Sequence, residues 1–262
     1  MSDAPFLLEV RRLGKRFEAR AGRGVISWAI RDLSFVVREG ELLTIVGPSG
    51  SGKSTLLNLI AQIDTPTEGE IRFRDRPIVG PLRPGGDRQF GYVTQDDTLL
   101  PWRTLLENVL FPLRVQGRLS RETREQATSL QRAVGLEGFE RHYPHELSGG
   151  MRKRAALIRT LVYDPPVILM DEPFGALDAQ TRAQLQLDLL GLWSLGRKTI
   201  VFVTHDIGEA IALGDRTLVF TRAPARVQSE HLIAIPRPRD VRNIYVMDGF
   251  AETYERIRKE LQ

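Results

Sequence analysis

The sequence predicts an α/β fold, a largely parallel sheet alternating with helices and interrupted by a mainly helical insert. Three observations predict it. Short apolar runs at residues 42–46, 167–170 and 199–204 have the length and composition of strands buried on both faces. Segments of helical spacing accompany them: Leu56, Leu57, Leu59 and Ile60 after the first run, and residues 180–195 between the other two. From residue 99 to about 164 the pattern turns mainly helical, which sets the insert apart from the alternating core.

Taken in order, residues 6–10 read as a short strand and residues 29–37 as a second with partial alternation. Glu39-Gly40 then turns the chain into the run at 42–46, and a glycine-rich loop leads from it into a helix. Residues 71–73 and 90–94 are further strands. Residues 77–87 between them, rich in Gly, Pro and Arg, are expected to form a surface connection. Within the insert, residues 105–113 are expected to form a helix broken near Pro112, because proline removes a hydrogen bond inside a helix. Residues 121–134 read as a polar amphipathic helix, and a third helix starts near Ser148. Residues 216–220 are expected to be an edge strand. There is no tandem repeat and no low-complexity tract.

Composition narrows the function classes. The 262 residues suffice for one substantial core, and 42% hydrophobic with 27% charged residues reads as a soluble globular protein. No cysteine is present, which removes disulfides, thiolate metal sites and cysteine nucleophiles together. The opening Met1-Ser2-Asp3-Ala4-Pro5 carries no basic region leading into an apolar run, so no secretory signal is expected. No apolar stretch approaches the roughly 18 residues of a bilayer span, so work at a membrane would need a partner. The net charge of +4 does not choose among nucleotide phosphates, anionic lipid and nucleic acid.

The chemistry lies in two glycine-rich segments. Gly47-Pro48-Ser49-Gly50-Ser51-Gly52-Lys53-Ser54 fits the phosphate-binding P-loop pattern and sits between a buried strand and a helix, the context that pattern requires. Its glycines let backbone N–H groups crowd around phosphate oxygens, and the following helix presents its positive end to them. The motif predicts that Lys53 reaches the β and γ phosphates and that Ser54 ligates Mg²⁺. The run at 167–170 ends in Asp171-Glu172, at the strand edge where α/β sheets bind ligands. Asp171 is expected to hold Mg²⁺ directly or through water, and Glu172 to orient or deprotonate an attacking water. His205 and Gln95 each follow a strand. The histidine ring is placed to contact a γ phosphate, and the glutamine amide to sense Mg²⁺ or the water. The second glycine-rich segment, Leu147-Ser148-Gly149-Gly150-Met151, lies 95 residues beyond Lys53, counted to Ser148, and Ser148 is placed to open a helix facing an anion.

With these motifs the chain closely resembles the nucleotide-binding subunits of ATP-binding cassette (ABC) transporters, from about residue 6 to residue 220. Residues 47–54 match the Walker A loop, 167–172 the Walker B segment and 147–151 the signature motif. Gln95 matches the Q-loop glutamine, Ala176-Leu177-Asp178 the D-loop and His205 the switch histidine. The resemblance implies a P-loop NTPase cassette spanning 1–262. It would have a mainly parallel core with an N-terminal antiparallel β region (1–95 and 165–225), a helical subdomain (96–164) and a C-terminal extension (226–262). ATP contacts are implied for Gly47, Pro48, Ser49, Gly50, Ser51, Gly52, Lys53, Ser54 and Thr55, and Mg²⁺ contacts for Ser54, Gln95 and Asp171. Glu172, His205 and Gln95 are implied as catalytic. It further implies a head-to-tail homodimer in which ATP bridges one copy's P-loop and the signature motif of the other, opened by hydrolysis and coupled to two transmembrane permease subunits.

Two departures from the common family pattern stand out. Met151 replaces the usual Gln, as in some importers of the nitrate, sulfonate and taurine group. The adenine-stacking aromatic would be Phe17 where the family commonly has Tyr, with Trp28 as rival across the insertion-like stretch at 18–27. The Leu99-Leu100-Pro101-Trp102-Arg103 run, the tail Ile235-Pro236-Arg237-Pro238-Arg239-Asp240 and the final helical pattern at 254–261 also resemble that importer subgroup. The implied role is import of a small anion, working peripherally at the cytoplasmic face of the bacterial inner membrane, with a periplasmic solute-binding protein reached through the permease. Export or lipid trafficking by a similar subunit remains an alternative. A nucleic-acid-associated cassette is disfavoured, because Gln95 and Leu147 stand only 52 positions apart and the stretch carries no sustained heptads.

Overall fold

Strands form where the doubly apolar runs lie, and helices where the 3.6-residue period holds. The structure is a computed structural model, and it describes residues 6–18, 26–78, 80–81, 89–175 and 177–262. In chain order the first described elements are β1 (Phe6–Glu18), β2 (Ile26–Arg38), β3 (Leu42–Val46), α1 (Lys53–Ile60), β4 (Glu68–Phe73), β5 (Arg76–Ile78) and β6 (Phe90–Val93). The helices α2 (Leu105–Val115), α3 (Arg121–Ala133) and α4 (Gly149–Leu161) follow, then β7 (Val167–Asp171) and α5 (Ala179–Gly196). The chain continues through β8 (Thr199–Thr204), α6 (Ile207–Leu213), β9 (Arg216–Phe220), β10 (Val227–Leu232) and α7 (Phe250–Glu260). The chain divides into two compact units, Met1–Pro84 with Lys198–Gln262, and Gly85–Arg197. The boundaries read from the sequence at 96 and 164 therefore fall inside the second unit, which also carries β6, β7 and α5.

In the first unit β3 is wholly buried and lies between two parallel neighbours, β8 and β9. β10 then pairs antiparallel with β9, from Val227 opposite Phe220 to Leu232 opposite Arg216. β9 is thus an interior strand, which corrects the expectation of an edge at 216–220. The sequence conceals β10 because its four middle residues, Gln228 to His231, are all polar: Gln228 and Glu230 face solvent, and only His231 is fully buried. Beside this parallel core stands an antiparallel sheet in the order β2, β1, β4, β5. β1 and β2 run 13 residues each, longer than the strands expected at 6–10 and 29–37. Register shifts interrupt the alternation, and Arg12 (φ 44°) and Asp32 (φ 55°) take left-handed backbone, so the period-2 signal fades although pairing continues.

One buried ion pair ties the start of β3 to β9. Arg216, 2% exposed, forks onto Glu41 with Nε–Oε1 at 2.6 Å and Nη2–Oε2 at 3.0 Å, and also donates to the Val36 carbonyl at 2.6 Å. Its remaining nitrogen lies 3.0 Å from Glu230 on β10. A bidentate geometry with every donor group engaged is the arrangement in which a buried pair holds its charges without net loss.

In the second unit β6 and β7 pair in parallel, and α2, α3 and α4 enclose an apolar cluster. Leu105, Val109, Leu113, Ala127, Leu147 and Ile158 are among its buried members. α2 opens on a reciprocal capping box between Thr104 and Glu107. It runs on through Pro112 to Val115, so the expected break does not occur. Proline costs one backbone hydrogen bond there, while the buried face of Leu105, Val109, Leu110 and Leu113 and the buried amide of Asn108 keep the helix in place. The Asn108 side chain accepts from Leu100 N–H at 2.7 Å and donates to the carbonyls of Leu100, Arg103 and Thr104.

Candidate functional site

The phosphate loop leaves β3 after Val46 and enters α1 at Lys53. Gly52 caps that helix in the left-handed region (φ 94°), and a Cβ there would stand 2.8 Å from the Ala29 carbonyl oxygen, so only glycine fits. The Lys53 side chain, 5% exposed, curls back and donates from Nζ to the carbonyls of Gly47 and Pro48, each at 2.9 Å. Ser51 is buried beside it and its N–H donates to the Pro48 carbonyl at 3.2 Å, while Ser54 is exposed and Thr55 half-buried. A buried cation, a helix N-terminus and an exposed hydroxyl within one short loop form a donor set suited to a polyanion.

His205 stands in the same unit. β3 and β8 are parallel neighbours with Val46 opposite Thr204, so the loop at 47–52 and His205 leave adjacent strands at the same end. The next residue, Asp206, caps α6 by accepting from Glu209 N–H at 3.0 Å, and its own N–H donates to Thr204 Oγ1 at 3.0 Å. Of the two aromatic candidates, Phe17 pairs with Ser27 and is 46% exposed, with the Lys15 ammonium 5.1 Å from its ring centre. Trp28 is half-buried and lies against Gly14, where an added Cβ would meet the indole at 3.1 Å.

The second unit repeats this strand-end logic. β6 and β7 pair with Val93 opposite Met170, so Gln95 and the Asp171-Glu172 pair also emerge at one end of two parallel strands. Tyr92, which no motif singles out, donates from its hydroxyl to Asp171 Oδ2 at 3.4 Å. Burial, reinforced by the Asp171 charge, pushes the Tyr92 phenol well above its ordinary pKa, which keeps it a donor. Only its position on β6, next to β7, could have flagged it. Glu172 has φ 44°, a left-handed backbone that is costly for a residue with a Cβ, and its carbonyl accepts from Gly175 N–H at 3.2 Å.

Three basic residues of α4 hold the segment beyond β6. The Lys153 ammonium donates to the Gln95 carbonyl, and Arg152 Nε lies 3.0 Å from Asp97 Oδ2. Arg159 donates to the carbonyls of Asp97 and Thr98 at 3.0 and 2.8 Å and to Thr98 Oγ1 at 2.7 Å. None of the three was legible as a site residue, since a charge run on a helix is ordinarily a solvated face. At the start of α4, Leu147 is buried, Ser148 and Gly149 are exposed, and Ser148 Oγ accepts from Met151 N–H at 3.3 Å. A Cβ on Gly150 would meet Thr181 Cγ2 at 2.9 Å. Met151 itself packs against the apolar cluster of this unit. Asp178 caps α5, accepting from Thr181 N–H at 2.9 Å, and that backbone bond holds its carboxyl below the usual range. Leu177 is half-buried, and Ala176 lies outside the described residues, as do most of the stretches at 18–27 and 77–87. Among the described residues no three His, Cys, Asp or Glu side chains cluster as metal ligands.

Comparisons with known proteins identify relatives of the chain as a whole. A family model described as ABC transporter matches residues 30–175. The nitrate import ATP-binding protein NrtD of Synechocystis sp. is 42% identical over 229 residues, 87% of this chain and 83% of that protein. The taurine import ATP-binding protein TauB of Rhizobium johnstonii is 41% identical over 256 residues, 96% and 95% of the two chains. Among solved structures, the dimeric post-hydrolysis state of the ATP-binding cassette MJ0796 bound to ADP and Pi is similar with a TM-score of 0.73 and 35% identity. That likeness covers 86% of this chain and 98% of the other.

Proposed function

Because the chain belongs to the ABC transporter family of ATP-binding cassettes and is an ATPase, we propose that two copies hydrolyse ATP at sites they share. The pair would drive import of a small nitrate-, sulfonate- or taurine-like anion. The observation that carries the shared site is the start of α4, where the exposed Ser148 and Gly149 present a helix N-terminus while Leu147 anchors the turn from beneath. Such a turn offers N–H donors to an anion from outside the chain. In this reading the γ phosphate on one copy's Lys53 and Ser54 meets Ser148, Gly149 and Gly150 of the second copy; a similar cassette described as dimeric supports the pairing of two copies.

Within that site the roles follow from residue chemistry. Lys53 exchanges its loop carbonyls for phosphate oxygens, and residues 47–55 wrap the polyphosphate. Ser54, Asp171 and Gln95 would hold Mg²⁺. One carboxylate with a hydroxyl and an amide oxygen suits a hard ion that keeps several waters and binds largely through the nucleotide phosphates. The ion would neutralise charge building on the phosphates. Glu172 takes the proton of the attacking water, Tyr92 orients the Asp171 carboxylate, and His205 contacts the γ phosphate from the end of β8. Phe17 stacks on adenine, its exposed ring being the more accessible of the two candidates. Asp178 and Leu177 belong to the segment that faces the second copy.

The transport reading rests on relatives named for nitrate and taurine import. No helix among the described residues is long and apolar enough to cross a membrane, so two permease subunits would supply the path and hold the protein at the cytoplasmic face. A solute-binding protein on the far side would deliver cargo to them. Trp102, 71% exposed just before α2, is a contact for the permease.

The test is complementation. Lys53→Ala and Ser148→Arg should each be nearly inactive alone. A mixture should regain ATP turnover, because one site of the mixed dimer then keeps both Lys53 and Ser148. A mixture as inactive as its components would show that the two motifs act within one chain.

A further inference from the structure

The C-terminal residues after β10 do more than end the chain: they wrap the short helix that follows His205. α6 is buried along most of its length and is fixed on one side by β3, where Thr44 Oγ1 lies 3.3 Å from the Ala210 carbonyl. On its other side the tail grips both ends. At the C-terminal end Arg239, 5% exposed, donates from Nη1 to the carbonyls of Ile211 (2.7 Å), Ala212 (3.4 Å) and Gly214 (2.6 Å). Its Nε and Nη2 bind the tail itself, through the carbonyls of Ile235 and Ile233 at 3.0 and 3.3 Å. Arg237 adds a bond to the Leu213 carbonyl and an ion pair with Asp215 at 2.8 Å. A helix C-terminus leaves its last carbonyls unpaired and carries partial negative charge, so a guanidinium satisfies both needs.

At the N-terminal end the contact is made by Tyr245, in the 3-10 turn Ile244–Val246. A Cβ built on Gly208 would meet the Tyr245 hydroxyl oxygen at 3.4 Å and Asp206 Oδ1 at 3.2 Å, so the phenol lies against the first turn of α6 beside its capping residue. Phe250 supports the tyrosine edge-on at 5.1 Å. His205 is the residue immediately before the cap.

We infer that residues 233–250 form a strap that sets where α6 begins, and that Arg239 and Tyr245 are positioning residues for hydrolysis, acting through α6 on His205. The inference rests on the hydrolytic role proposed for His205. It gives the tail a purpose that neither the motifs nor the relatives' names suggest. Burying a guanidinium among carbonyls is costly, and burial together with nearby Arg237 outweighs the Asp215 charge and pushes the Arg239 pKa down to about 10. A plain helix cap could be made more cheaply by glycine or a surface lysine.

Steady-state ATP turnover of the full chain tests this with Tyr245→Ala, Arg239→Lys, His205→Ala and the doubles with His205→Ala. Tyr245 is 66% exposed, so its truncation removes the contact without opening a core cavity. Both tail variants should lower kcat about tenfold, as expected of a small misplacement near the reacting centre, and leave KM for ATP unchanged. Neither should lower turnover further once His205 is gone. Wild-type kcat in both tail variants, a raised KM, or losses that multiply on the His205→Ala background would overturn the strap. Wild-type turnover of His205→Ala itself would instead overturn the role proposed for the histidine.

Discussion

Val46 and Thr204 are register partners in adjacent parallel strands, so the phosphate loop and His205 leave the sheet side by side. Val93 and Met170 stand in the same relation in the second unit, at the roots of Gln95 and of Asp171-Glu172. Within each unit, parallel strands put their C-terminal ends on one edge, and chemistry separated in sequence gathers there as a result.

Glu172 sits at φ 44° at the end of β7, with its carbonyl held by Gly175. Glu172→Gln keeps the shape and loses the proton acceptor. Turnover should fall at least about 100-fold, while ATP still drives dimer formation. Phosphate release together with sizing chromatography in ATP reads both quantities, and a wild-type rate would remove Glu172 as the base.

Lys53→Ala deletes the buried ammonium that binds the Gly47 and Pro48 carbonyls. Hydrogen bonds to charged groups contribute about 1.5–3 kcal/mol each, so ATP affinity should drop by one to two orders of magnitude. Equilibrium dialysis with ATP measures it, and unchanged affinity contradicts the phosphate-clamp role.

Phe17 and Trp28 make opposite predictions. Base–aromatic stacking is worth about 1–3 kcal/mol, so Phe17→Ala should raise the ATP dissociation constant about tenfold or more. Trp28→Phe, at a ring packed on Gly14, should leave binding nearly unchanged and lower stability instead. The reverse pattern would hand the adenine to Trp28.

Glu41→Gln leaves Arg216 buried with only half of its fork paired. Breaking one side of such a pair costs about 3–5 kcal/mol, and the lower end applies because Glu230 still reaches Arg216 at 3.0 Å. Urea unfolding should show this as a lower midpoint at constant slope. A loss under about 1 kcal/mol would mean that the pair contributes little beyond its shape.

Asp64 accepts from the Lys15 ammonium at 2.7 Å and from Thr65 N–H at 2.7 Å. Burial raises its carboxyl pKa, but those bonds outweigh burial and hold it below the ordinary 3.8. A folded pKa below the unfolded one adds stability that is complete above the unfolded value and vanishes as pH falls through the folded one. Asp64→Asn should therefore be less stable than wild type at pH 7, with the gap closing below about pH 4. Urea titrations at several pH values follow the gap, and one that stayed constant with pH would exclude this carboxyl as its source.

How much of this was legible depended on the kind of interaction. β3, β7 and β8 are buried along nearly their whole length, so apolar residues dominate them and each run announces itself. β10 is paired on one side only and its middle is polar throughout, so no apolar pattern marks it as a strand and β9 looks like the edge. Pro112 suggested a break because local propensity cannot see the apolar cluster that holds α2. The glycine loops were readable because their chemistry is local in sequence. Tyr92, Arg159 and Arg239 were not, since each acts on backbone or carboxylate dozens of residues away or on a neighbouring strand.

Arg152, Lys153 and Arg159 all reach from α4 to the backbone or carboxylate of residues 95–98, while Ser148 opens that same helix. α4 is thereby a strut with a glutamine loop lashed to its flank and a serine at its tip. Three charge-assisted contacts join the loop to the helix, so a displacement of residues 95–98 is expected to be passed to the start of α4. Residues 95–98 and the turn at Ser148, 50 or more positions apart in sequence, are thus held by a single helix.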